Sequence, residues 1–204
     1  MALTDIIQGI RRKRLELARL DPRGGMPTMP PPPASPAAIQ AVERRLGFAL
    51  PASYRAFLAA HDGWPGFFHG ANLLGSAALA RGTYISVGRM AFAENMAEFE
   101  DGPISVARAA SGFIPFGLDA QAEMVFGWDP ARPEPGGELR VIYWIHGVGD
   151  TASSFTDFLD LVLAMLDAEL DDRRALRISS SQLEARRLTP PPPRAAIRAA
   201  IRAA

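Results

Sequence analysis

The stretch from Ile39 to Gly63, IQAVERRLGFALPASYRAFLAAHDG, constrains this chain more than any other. Ile39, Val42 and Leu46 recur at i, i+3 and i+7, and Tyr54, Phe57 and Leu58 at i, i+3 and i+4, so the spacing predicts two helices with one apolar face each. Gly47 suits the left-handed residue that ends the first helix, and Pro51 suits the first position of the second. The result is a tight helical corner whose two apolar faces need a surface to cover. Ser35 and Pro36 read as the N-cap and first residue of the leading helix.

That surface is legible further on. Phe113 to Phe116, Met124 to Trp128 and Val141 to Ile145 read as strands, the first a short apolar run, the second alternating, the third rich in β-branched and aromatic residues. The Pro- and Gly-rich DPARPEPGGE between the last two reads as a loop joining antiparallel neighbours. Trp64 to Gly75 reads as a loop leading into one strand around Phe67 to Leu74, and Phe92, Met96 and Phe99 mark a helix within Tyr84 to Glu100. The plainest helix runs from Ser153 to Leu170, carried by Phe155, Phe158, Leu159, Val162, Met165 and Leu166. Ser154 and Asp157 have the spacing of a capping box at its start.

Three segments, in this order, resemble the SUKH superfamily, the Smi/Knr cell-wall regulator and bacterial immunity-protein family. The first is the corner, through Glu43, Leu46, Gly47, Leu50, Pro51, Tyr54, Phe57 and Leu58. The second is FIPFGLDAQAEMVFGWD, through Ile114, Pro115, Phe116, Gly117, Asp119, Trp128 and Asp129; the third is the capped start of the last helix. Where the family has an Asn-Gly-Gly type of turn this chain has His61, Asp62, Gly63, Trp64 and Pro65, and Ala120, Gln121 and Ala122 replace turn glycines in the second segment. The residues on their own give an α+β class, a mostly antiparallel sheet flanked by helices. The resemblance implies a non-catalytic protein whose bacterial relatives neutralise polymorphic toxins by direct binding. The alternative it carries is a regulatory or scaffolding adaptor, as in fungal relatives, working through its tails.

The ends read as extensions. Residues 35–177 hold the domain, 1–34 a basic amphipathic helix and a proline-rich spacer, and 178–204 a Pro-rich, Arg- and Ala-rich tail. The N-terminal helix carries Leu3, Ile6, Ile7, Ile10 and Leu17 near one face, with Arg11, Arg12, Lys13 and Arg14 clustered. Three roles are open to it: lying on an anionic membrane, gripping an acidic partner, or packing its stripe on the domain, which is the expectation. MPTMPPPPA reads as a stiff polyproline spacer.

Composition excludes several classes of function. With no cysteine there is no disulfide, thiolate nucleophile or thiolate-bound zinc, and a formal charge of zero gives no global basic footprint for nucleic acid. No apolar run approaches the roughly 20 residues that span a bilayer, and no signal peptide is evident, so a cytoplasmic location is expected. Imidazole chemistry could draw only on His61, His69 and His146, and no pair has the spacing of a helical metal motif. No phosphate-binding loop is present, and Ser154 is accounted for as a cap. No cofactor, metal or catalytic set is therefore expected. The residues singled out for contact with a cognate toxin or other protein partner are His61, Asp62, Trp64, Phe67, Asp119, Glu123, Trp128 and Asp129.

Overall fold

The computed structural model describes residues 2–21, 26–97, 112–145 and 148–188. The corner forms from local signals. In α2 (Pro36–Leu46) the Ser35 hydroxyl accepts the Ala38 N–H at 3.2 Å, and Gly47 closes the helix in the left-handed region at φ 80°. In α3 (Ala52–Ala60) Pro51 lies one position earlier than expected, as the extended N-cap residue. A proline there offers no side-chain acceptor. The first turn is capped from far along the chain, by Glu138, whose carboxylate accepts the Ser53 N–H at 2.8 Å and its hydroxyl at 2.7 Å.

The sheet has six strands, all antiparallel and adjacent in chain order: β1 (Trp64–Phe68), β2 (Ala71–Leu73), β3 (Ile114–Leu118), β4 (Met124–Glu134), β5 (Glu138–Ile145) and β6 (Val148–Ala152). Three readings change. The single strand expected near Phe67 to Leu74 is a hairpin, reversed at His69 and Gly70, both of positive φ (45° and 90°). DPARPEPGGE is not a free loop. β4 and β5 pair as far as Glu134 with Glu138, beyond an irregularity after Asp129, and the chain reverses at Pro135–Gly137 on glycines of φ 75° and 77°. β6 is an additional edge strand.

Helices cover both faces of the sheet. On one, Phe116, Phe126, Trp128 and Tyr143 meet Tyr54 and Phe57 of α3 and Phe155, Phe158 and Val162 of α6 (Phe155–Leu188) in the main core. A short helix, α4 (Ser76–Arg81), adds Leu79 to the same core. On the other face α5 (Thr83–Ala97) lays Ala91 and Phe92 against Phe113, Val125, Ile142 and Trp144. The Phe113 ring lies across Gly127, where a Cβ would come within 2.4 Å of it, and Phe92 stacks on Phe113 at 4.1 Å. Phe99, expected on α5, lies outside the described residues. The last helix continues to Leu188, past the Leu170 end expected for it, because the residues from Asp171 to Leu188 include no Gly or Pro to compel a stop.

The N-terminal segment is part of this core. Ile6, Ile7 and Ile10 of α1 (Leu3–Leu20) are buried in the main cluster, and Gly9 lets α1 approach α6, its Cβ position lying 3.1 Å from Leu163. The contacts Gly9 with Leu163, Lys13 with Asp167 and Asp21 with Arg173 advance together, so the two helices run parallel. The proline-rich segment is bound down as well. Proline carbonyls have no matching N–H of their own, so they serve as acceptors: Pro31 O for His61 Nδ1 at 3.2 Å and Pro32 O for the Asp62 N–H at 2.9 Å. The Ala34 N–H in turn donates to Leu58 O at 2.9 Å.

Candidate functional site

His61 and Asp62 sit where α3, the proline segment, β1 and α4 meet. A carbonyl can only accept, so the contact with Pro31 O fixes His61 Nδ1 as the protonated ring nitrogen in the neutral imidazole. Asp62 holds the start of α4: its oxygens accept the Ser76 N–H at 2.5 Å and the Ser76 hydroxyl at 3.0 Å. Next to it, Gly63 (φ 87°) and Gly75 touch backbone to backbone, and a Cβ on Gly75 would fall 2.4 Å from Asp62 O. Beneath lies Tyr54, whose hydroxyl donates to Leu74 O at 2.6 Å. Burial first, and the Asp62 charge second, raise its phenol well above the usual value.

The aromatic residues expected at a partner surface are inside. Trp64 and Phe67 are buried against each other with ring centroids 5.3 Å apart. Trp128 is fully buried between Tyr54 and Phe116, each 4.8 Å away. The alternation of β4 puts Met124, Phe126 and Trp128 on one face, and that face is the one α3 and α6 cover. The Trp64 indole N–H is taken by Thr28 O at 3.1 Å, and Arg14 stands over its ring at 5.5 Å.

The acidic residues occupy separate places. Asp119 is buried in the β3–β4 turn, accepting the Met124 N–H at 2.9 Å. This turn lacks the family's glycines and places Ala122 in the left-handed region at φ 58° instead. Glu123 is exposed on the same turn. Asp129 is half-buried and accepts the Ala131 N–H at 3.0 Å, a local turn contact. It stands five residues along β4 from Met124, about 17 Å at strand rise, so it forms no carboxylate pair with Asp119 or Glu123. Ser154 accepts the Asp157 N–H at 3.1 Å and donates to its carboxylate at 2.9 Å, the capping role expected of it. His146 lies outside the described residues. Among the described residues no cluster of three or more His, Asp or Glu could hold a metal ion.

A polar cleft of about 240 Å³ lies between the end of α1, the β1–β2 turn and α6. His69 faces Glu169 there at 3.4 Å, Glu169 faces Arg173 at 3.8 Å, and Arg173 meets Asp21 at 3.0 Å. Arg14 donates to Gly66 O at 2.5 Å, and burial lowers its guanidinium to about 10, leaving it charged at neutral pH. The charges in the cleft answer one another. No periodicity could bring together residues 14, 21, 69, 169 and 173, since only the tertiary fold does so.

An antiparallel sheet with a capped helical corner on one face and a long helix beside it defines an α+β domain whose described polar side chains mainly hold its own turns and helix ends. The sequence matches the SMI1 / KNR4 family (SUKH-1) over residues 33–161, and the chain belongs to that family. No curated protein is similar enough to count as a match. The matched region begins just before α2 and ends inside α6, so α1 and the distal part of α6 lie outside it. No helix among the described residues is long and apolar enough to cross a membrane.

Proposed function

We propose that this protein is a non-catalytic binding protein of the immunity type, which neutralises a toxin in the cytoplasm of the producing cell by occupying its surface. The observation that carries the reading is membership of the SUKH-1 family across the whole sheet and corner. It is supported by the employment of the candidate chemical groups: Asp62 in capping α4, Asp119 in closing a turn and Ser154 in capping α6. Of the eight residues expected at the partner surface, His61, Asp62, Glu123 and Asp129 keep part or all of their surface in solvent, and they are the members of that set offered for contact, Asp62 with its carboxylate already engaged by Ser76. The adaptor reading, in which free tails do the binding, is weakened at the N-terminus by the burial of Ile6, Ile7 and Ile10.

Co-expression with the product of the neighbouring reading frame tests the proposal. The full chain restores growth and co-purifies with that product. A folded, abundant chain that neither restores growth nor forms a complex overturns it. Deleting residues 1–34 is the wrong control, since it removes three core isoleucines.

A further inference from the structure

We infer that the outward face of α1 is a docking surface for an acidic segment of a partner protein. The charges of this helix are sorted. Those that face inward or toward α6 are satisfied: Lys13 by Asp167, Glu16 by Arg174, and Arg14 by Gly66 O, Thr28 O and the Trp64 ring. Arg11, Arg12 and Arg19 have no ion-pair partner among the described residues. Together with Gln8 and Leu15 they line a shallow groove of about 340 Å³ on the solvent side. Each guanidinium presents a planar fork that matches a carboxylate, and Leu15, half-buried between them, adds an apolar spot. From Arg11 or Arg12 to Arg19 the groove covers about 11 Å of helix, two turns' worth of acidic residues on a partner.

Charge and burial decide among occupants. A membrane-surface helix needs its apolar stripe free to enter lipid, whereas Ile6 and Ile10 are fully buried and Ile7 is 4% exposed. A nucleic-acid backbone calls for a broader basic footprint than three arginines over two helical turns, and the formal charge of the chain is zero. A short acidic peptide segment fits between these limits. The surface lies outside the residues matched by the family. The inference goes beyond the neutralisation proposal, because it requires only that a partner be a protein.

Fluorescence anisotropy with the full chain tests it, using a labelled synthetic helical peptide that carries glutamates on two successive turns around a leucine. The wild type binds the peptide, and binding weakens as salt rises. Arg12→Glu with Arg19→Glu weakens it by about tenfold or more, while circular dichroism and the unfolding midpoint stay unchanged. Arg44→Glu, on an exposed position of α2, leaves it unaltered. Absence of peptide binding, binding indifferent to the charge reversal, or tighter binding to a short DNA duplex or to phosphatidylserine vesicles overturns the inference. None of these results depends on growth rescue, so the two proposals fail separately.

Discussion

Replacing Ile10 by alanine gives a sharp test of how α1 relates to the family domain. Ile10 is fully buried, beside Ile6 and Ile7, in the same cluster as Tyr54, Phe116 and Val162. Truncating such a side chain removes the transfer free energy of its atoms and leaves a cavity, together about 2–5 kcal/mol. For a chain of this size about 3 kcal/mol corresponds to a fall in Tm of roughly 6–12 °C. The assay is urea unfolding followed by circular dichroism and by tryptophan fluorescence, since the buried tryptophans lie in the matched region while α1 does not. The expected result is a lower midpoint, coincident by both probes, with the same m-value. Ile10→Val gives a graded loss of about 1 kcal/mol, and Arg12→Ala on the outer face changes stability by less than about 0.5 kcal/mol. If α1 is instead an appendage, Ile10→Ala leaves the tryptophan transition where it was and produces a separate early loss of helix. That outcome would refute the packing argument.

Other perturbations follow from the same geometry. Gly127→Ala brings a Cβ within 2.4 Å of the Phe113 ring and 2.7 Å of Ile114 O, and costs about 3 kcal/mol in denaturant unfolding; a neutral result contradicts the close approach. Ala122→Gly relieves a left-handed alanine and, after the added entropy of the unfolded chain, stabilises by about 0.5–1 kcal/mol; destabilisation contradicts the strain. Because burial, then Asp62, raise the folded-state pKa of Tyr54 above its usual 10, the neutral phenol favours the folded state. That contribution is complete below pH 10 and is lost as pH climbs above it. Tyr143, raised by burial and then by Asp150, acts in the same sense. Thermal melts should therefore fall through the alkaline range, and Tyr54→Phe should flatten part of the fall; a flat wild-type profile contradicts the assignment.

What could be read from the chain was what depends on near neighbours. Ser35, Gly47 and the Ser154 and Asp157 pair announce helix ends through contacts within four residues, and all of them act as read. The β1–β2 hairpin was hidden because its reversal uses His69 with Gly70 in place of the stronger Asn-Gly signal. β6, VGDTA, has a weak strand composition, and its Gly149 is required by the Trp144 ring, whose Cε3 would lie 2.6 Å from a Cβ there. The candidate site suffered most. Trp64, Phe67 and Trp128 were singled out by residue type, and type alone does not say which sheet face is covered. The amphipathicity of α1 was legible, but the sorting of its arginines was not, because Asp167 and Arg174 lie more than 150 residues away.

If this protein acts by holding a partner, as proposed, neutralisation must be stoichiometric. The purified chain is titrated into a fixed amount of the neighbouring gene's product while that product's toxic activity is followed. Neutralisation by binding predicts a loss of activity that saturates at a fixed molar ratio, with a complex of the same ratio on size-exclusion chromatography. Full inactivation by a small fraction of an equivalent, with no complex, would mean turnover and would contradict the account.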